Sequence, residues 1–249
     1  MQLYEGLKID IADRQCICFV GAGGKTTAMF RLAKELRALG KRVLVTTTTR
    51  IFYPERDLCD AVAIIEAPGE AESYVNNISA PGIYVIAKGV TEDNKLVGYD
   101  NTVISGIFAS SNIGYVLVEG DGSKRKPVKA PAAHEPFIPE CCDMVLGLIG
   151  LDCLGEQASE ASVHRLDYFC KVCGCSEGDM IDEGMLAKLI IHPEGLFKNT
   201  PFASKKVVLL NKADNAERTE RAKRIKNMAR DYPASVAVTC LNKDNPIID

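Results

Sequence analysis

Three groups of residues in this 249-residue chain have the types and spacing to do chemistry. The first is Gly21, Ala22, Gly23, Gly24, Lys25, Thr26 and Thr27, within the stretch FVGAGGKTT. Closely spaced glycines let backbone N–H groups converge on phosphate oxygens at the start of a helix. A lysine placed after them reaches the outer phosphates, and a threonine hydroxyl binds Mg²⁺. The usual spacing is G-x-x-x-x-G-K-[ST], and here Phe19 stands where the first glycine falls. The second group is Glu119 and Asp121, which close the apolar run YVLVEGDG. Mg²⁺ keeps several waters and takes one or two carboxylates plus phosphate oxygens, so either acid can hold it, directly or through water. Lys25, Thr26, Glu119 and Asp121 are therefore the expected catalytic groups, and Thr26, Glu119 and Asp121 the expected metal ligands.

The third group, Asn211-Lys212-Ala213-Asp214, follows the apolar run VVLL and matches the N-K-x-D base-recognition pattern of GTPases. A carboxylate only accepts hydrogen bonds. Guanine offers two adjacent donors, whereas adenine would leave Asp214 unpaired, a mismatch that discriminates strongly. Lys212 would lie along the base plane, and Asn211 would tie its loop back to the phosphate loop. GTP or GDP with Mg²⁺ is the expected cofactor set, with ATP left open. Thr46, Thr47, Thr48 and Thr49 end another apolar run, where hydroxyls can face a phosphate, a metal water or an attacking water; at least two are expected to be structural.

Lys124, Arg125, Lys126 and Lys129 place four cations in six residues just after the carboxylates. Such a cluster suits phosphate or a small anionic cofactor, such as a pterin phosphate, as readily as it suits a solvated loop. The chain has three histidines, His134, His164 and His192. A shared metal site or proton-transfer role is one reading, and loop-fixing hydrogen bonds the other. With Glu135 and Arg165, they complete the expected substrate or partner set: Lys124, Arg125, Lys129, His134, Glu135, His164 and Arg165. Cys170, Cys173 and Cys175 form a C-x-x-C-x-C run that would need a fourth ligand, from Cys141, Cys142 or Cys153, to hold zinc or an iron–sulfur centre.

The elements that must position these residues follow from periodicity. An apolar run at 17–20 stops at the glycines, a helical pattern covers 26–39, and a β-branched run covers 42–46. Strand, loop, helix and strand make a βαβ unit, hence a parallel sheet. Further strands are expected at 61–65, 83–87, 115–118, 144–149, 207–210 and 235–238, with a helix at 215–230. The fold expected is α/β, a mostly parallel sheet flanked by helices, as one P-loop NTPase-like domain over residues 1–249. A less regular elaboration at about 121–201 would decorate one end of the sheet. Hydrophobic residues are 47% and net charge is −3, which argues against nucleic acid or a membrane surface as partner. The first 15 residues carry charges and lack a signal-peptide core, so the ten cysteines are read as reduced thiols in the cytoplasm.

The glycine loop resembles those P-loop relatives with K-G-G-x-G-K-[ST]-[ST], at Gly21, Gly24, Lys25, Thr26 and Thr27. It departs where Val20 replaces their first lysine, and with it the dimer-dependent catalysis that lysine serves. Longer stretches, VEGDGSKRKPVKAPAAHEPFIP (118–139), VHRL (163–166) and IIHPEGLFKNTP (190–201), resemble the YqeC-type family. FVGAGGKTT, VLVTTTTRIF and LLNKAD are similar to that family's segments in the same order, covering about residues 16–214. The resemblance implies a P-loop nucleotide-binding protein accessory to maturation of a selenium-dependent molybdenum hydroxylase. Its partner would be that enzyme or its cofactor-assembly proteins.

Three functions fit these residues. One is a slow, switching GTPase, since no residue marks itself as the water-positioning group. The second is an ATP- or GTP-dependent transferase or ligase with the basic loop as acceptor site. The third is a nucleotide-bound metallochaperone whose cysteines carry the cargo.

Overall fold

The computed structural model describes residues 1–248. Eight strands form one sheet in the order Ser235–Val238, Lys205–Asn211, Met144–Gly150, Gln15–Gly21, Tyr115–Glu119, Arg42–Thr47, Gly82–Ala87, Ala61–Ile64. Every neighbouring pair is parallel. The central strands Gln15–Gly21, Tyr115–Glu119 and Met144–Gly150 are buried at every position. That is the pattern of a sheet covered on both faces, and it explains why they read as continuous apolar runs.

Side chains alternate between the two faces. Ile17 and Phe19 join Met29, Leu32 and Leu36 of the helix Lys25–Ala38 on one face. Cys16, Cys18 and Val20 point to the other. There they meet Ile104 and Ile107 of Asn101–Ser110, Leu186 and Leu189 of Glu183–Ile191, and Ala222 and Ile225 of Ala216–Met228. The expected α/β sheet and its strand positions agree with the structure to within two residues at each end.

The segment 121–201 is less regular only in part. Met144–Gly150 sits inside the sheet, between Gln15–Gly21 and Lys205–Asn211. The remainder supplies Leu166–Cys173, Glu183–Ile191 and a two-stranded parallel pair, Val128–Lys129 with Val163–His164. A three-stranded antiparallel ribbon, Arg50–Phe52, Gly89–Val90 and Lys95–Val97, is an element that periodicity does not announce. No helix among the described residues is long and apolar enough to cross a membrane.

Because all eight strands run the same way, their carboxyl ends lie along one edge. Gly21, Thr47, Glu119, Gly150 and Asn211 all end strands there, which is where ligands bind in open parallel sheets.

Candidate functional site

The strand Gln15–Gly21 passes into the helix Lys25–Ala38 through three glycines with φ of +87° (Gly21), +86° (Gly23) and +125° (Gly24). A side chain at Gly23 would also strike the Gly150 nitrogen, 2.2 Å from where its Cβ would stand. These glycines are required by backbone conformation and close approach, not by composition. Gly24 caps the helix without any side-chain hydrogen bond to its first turn. The first N–H groups of a helix have no intrahelical partner and carry its positive dipole end, so this end is equipped for an anion.

Lys25 is almost fully buried and lies between the two carboxylates. Its Nζ donates to the Gly21 carbonyl at 2.7 Å and stands 3.2 Å from Asp121 Oδ1 and 3.8 Å from Glu119 Oε1. The Thr26 hydroxyl donates to Glu119 Oε2 at 2.7 Å. Asp121 Oδ2 accepts from the Gly21 N–H at 3.1 Å, while Oδ1 is buried with ion-pair contact to Lys25 but no hydrogen bond. Burial raises the Glu119 carboxyl above its ordinary range; Lys25 and the Thr26 hydroxyl offset this only in part. The four residues expected to act on phosphate and metal are thus in mutual contact. Two buried carboxylates, one with an unbonded oxygen, beside a threonine hydroxyl are an oxygen donor set that fits Mg²⁺.

The N-K-x-D stretch reaches the same loop. Asn211 Nδ2 donates to the Gly23 carbonyl at 2.8 Å, as expected, and Asn211 Oδ1 accepts from Leu241 N–H at 3.2 Å and from the Thr239 hydroxyl at 3.3 Å. The segment 239–242, which follows the last strand, is therefore tied to Asn211. Arg31 holds it from the other side, donating to the carbonyls of Leu241 and Lys243. Lys212 has φ +68° and bonds Asp152 Oδ2 at 2.6 Å. Asp214 is exposed and held by Arg218 Nη1, 2.8 and 2.9 Å from its two oxygens. Asp152 and Arg218 were not foreseen. An acid just past a strand end marks Asp152 as it marks Asp121, and the i,i+4 spacing marks Arg218.

All four threonine hydroxyls are engaged. Thr46 donates to Ile86 O, Thr47 to Glu119 O at 2.8 Å, Thr48 to Phe137 O at 3.0 Å, and Thr49 lies 3.3 Å from the Thr47 hydroxyl. Thr47 and Thr48 brace the acidic strand end at the Glu119 carbonyl.

The basic run does not act as one cluster. Lys129 turns inward, about 1% exposed, donating to Gly122 O at 2.8 Å and to Glu135 Oε2 at 3.0 Å, and it stands 3.0 Å from Asp121 Oδ2. Lys126 donates to Ala161 O, Arg125 stacks 4.2 Å over the Phe52 ring, and Lys124 is exposed. Of these four cations Lys129 is set apart: burial makes it a counter-ion for Asp121 and Glu135. Arg165 Nη2 is 3.4 Å from Glu135 Oε1, and the pairing of His164 with Lys129 in the small parallel sheet sets it alongside.

Among the described residues, no group of three or more His, Cys, Asp or Glu side chains is placed to hold a metal. Of the two readings of the histidines this favours loop-fixing hydrogen bonds, and it gives the open reading of Cys170, Cys173 and Cys175 as a metal centre no support. His134 packs on Phe137, and His192 Nδ1 accepts from the Glu194 N–H. Cys173 is buried, its thiol on Met185 O, while Cys16, Cys18 and Cys142 lie in the core under the acidic strand.

A cavity of about 670 Å³ runs along the outer face of the helix Lys25–Ala38, from Thr26 and Thr27 past Phe30 to Leu39, with Leu241 on its wall.

An α/β protein whose main sheet is all parallel, with a glycine loop, paired carboxylates and an N-K-x-D turn at one sheet edge, is the class that fold and site define. The YqeC protein family model matches residues 17–167. A protein described as "Uncharacterized protein YqeC" from Escherichia coli (strain K12) is 32% identical over 201 residues, 81% of this chain and 77% of its own. This chain belongs to the YqeC family. The segment matched by the family model holds the loop, the carboxylates, the basic run, His164 and Arg165, and ends before Asn211.

Proposed function

We propose that this chain binds a guanine nucleotide with Mg²⁺ and hydrolyses it slowly. One observation carries the proposal: three motifs distant in sequence close on one loop. Asn211 reaches Gly23, Thr26 reaches Glu119, and Lys25 lies between Glu119 and Asp121.

In that function the glycine loop and the helix N–H groups take the phosphates, and Lys25 leaves the carboxylates for the phosphate oxygens. Thr26, Glu119 and Asp121 would hold Mg²⁺, which supplies charge neutralisation at the terminal phosphates. Lys25 and the metal are both cationic, so each satisfies the carboxylates when the other is engaged elsewhere. Asp214 accepts from the guanine edge, and Asn211 sets its distance from the phosphates.

The resemblance to YqeC-type proteins extends the proposal to a maturation role. This chain would assist a selenium-dependent molybdenum hydroxylase, in the cytoplasm, with that enzyme or its cofactor-assembly proteins as partner.

Titrating GDP and ADP, each with Mg²⁺, into wild type, Lys25→Ala and Asp214→Ala tests the proposal. The expected result is GDP preference in wild type, its loss in Asp214→Ala, and no binding to Lys25→Ala. Equal affinity for ADP would remove the guanine assignment, and unchanged binding to Lys25→Ala would remove the phosphate loop.

A further inference from the structure

Beyond the carboxylates, the charges continue outward from the loop. Asp121 touches Lys25 on one side and Lys129 on the other; Lys129 touches Glu135, and Glu135 touches Arg165. Lys129 and Glu135 are buried, whereas Arg165 is exposed and makes one long contact at 3.4 Å. The small parallel sheet sets His164 beside Lys129. The charges that act on His164 are those of Lys129, Arg165 and Lys124, with Glu135 as the opposing anion.

The backbone here is strained. Lys124 (φ +48°), Arg125 (φ +59°), Arg165 (φ +65°) and Asn199 (φ +57°) are all left-handed without being glycine. Asn199 donates to the carbonyls of Glu135 and Pro136, so it belongs to the same neighbourhood. Such conformations are uncommon outside glycine and gather where side chains must be aimed at a ligand.

We propose that Arg165, Lys124 and His164 form a second ligand site, for a small molecule bearing a carboxylate or phosphate, separate from the glycine loop and linked to it through Glu135, Lys129 and Asp121. Arg165 would take the oxyanion through its fork of N–H donors, with Lys124 adding charge. The neutral imidazole of His164 both donates and accepts, so it can read a hydroxyl or a second oxygen of the ligand. Glu135 is held by Lys129 and the Ala132 N–H, so it orients Arg165 without cancelling it. Calling this a second site rests on the nucleotide proposal above; the anion binding itself does not.

Orthophosphate and malonate, titrated calorimetrically into wild type, Lys25→Ala, Arg165→Gln and Lys124→Gln, test it. Lys124 is exposed, so its variant keeps the fold if Arg165→Gln does not. One of the two anions is expected to bind in the millimolar range to wild type and to Lys25→Ala. Its affinity should fall at least tenfold in Arg165→Gln and several-fold in Lys124→Gln. Which anion binds decides between a phosphate and a carboxylate ligand. Binding lost in Lys25→Ala but kept in both outer variants would place the anion in the glycine loop and overturn the proposal, as would no binding of either anion. Failure of GDP binding with Arg165-dependent anion binding would overturn only the nucleotide proposal.

Discussion

Asn211 donates its side-chain amide to the Gly23 carbonyl at 2.8 Å, joining two loops separated by 188 residues. Its oxygen meanwhile accepts from Leu241 and Thr239, so one buried side chain fixes the glycine loop, its own turn and the segment after the last strand. Asn211→Ala would strand a buried carbonyl and two donors. The expected cost is about 2 kcal/mol of stability, because buried polar groups left unpaired cost roughly 1–3 kcal/mol. GDP affinity should drop at least tenfold even where the variant remains folded. Urea unfolding and a GDP titration read the two effects separately. A variant as stable as wild type would show that Asn211 does not join the loops in solution.

Lys129 is the second residue on which the site's shape depends. It is buried among Asp121, Glu135 and the Gly122 carbonyl, so Lys129→Met leaves two buried carboxylates short of a counter-ion. Removing one partner of a buried pair costs about 3–5 kcal/mol. Adding Glu135→Gln removes one of the stranded charges. The double variant should then be more stable than the summed single effects by over about 1 kcal/mol. Additive losses in urea unfolding would mean that the two residues do not share one network.

How far sequence predicts this site is clear from Lys129 itself. The glycine loop, Glu119, Asp121 and the N-K-x-D turn were legible because each sits at the end of a buried apolar run, a strictly local signal. Lys129 was not. Within SKRKPVK it looks like one more solvated cation, and only the pairing of Val128–Lys129 with Val163–His164, some 35 residues on, turns it inward. The antiparallel ribbon was hidden for a related reason. Its strands are two or three residues long, too short for a period, and Arg50–Phe52 finds its partner Lys95–Val97 only some 45 residues on. The main sheet announced itself because seven-residue strands buried on both faces must be almost wholly apolar.

Acid should weaken the fold partly through His164. Burial, together with the positive charges of Lys129, Arg165 and Lys124, brings its pKa down from 6.5 to about 4, against the pull of Glu135. The unfolded chain therefore binds a proton there that the folded chain does not, and stability falls as pH drops from about 6.5 to about 4. Glu135 acts at lower pH. Burial opposes its ionisation, but Lys129, the Ala132 N–H and Arg165 prevail and bring its pKa down from 4.5 to about 2. Its contribution is present above about 4.5 and is lost as pH falls towards 2. His164→Gln should flatten the stability profile between pH 6.5 and 4 and leave the steeper loss below it. Midpoints of thermal unfolding across pH 3–8 give the comparison; parallel profiles for wild type and variant would show that His164 is not held neutral.

Arg218 and Asp214 offer the sharpest test of guanine recognition, because removing a residue should improve binding. Arg218 Nη1 stands 2.8 and 2.9 Å from the two oxygens that would accept from guanine. A base that uses Asp214 must first displace this pair. Exposed i,i+4 pairs are worth roughly 0.2–1 kcal/mol, so the gain on release is at most about fivefold in affinity. Arg218→Ala is therefore expected to bind GDP about two- to fivefold more tightly than wild type, with ADP affinity unchanged. The helix Ala216–Met228 should persist, since its cap comes from the Asn215 side chain accepting the backbone N–H of residue 218, which the substitution keeps. An equal gain for ADP would show that the effect does not act through guanine recognition by Asp214, since losing a cation should by itself weaken the binding of either anionic nucleotide. No gain for either nucleotide would mean that Asp214 does not meet the base.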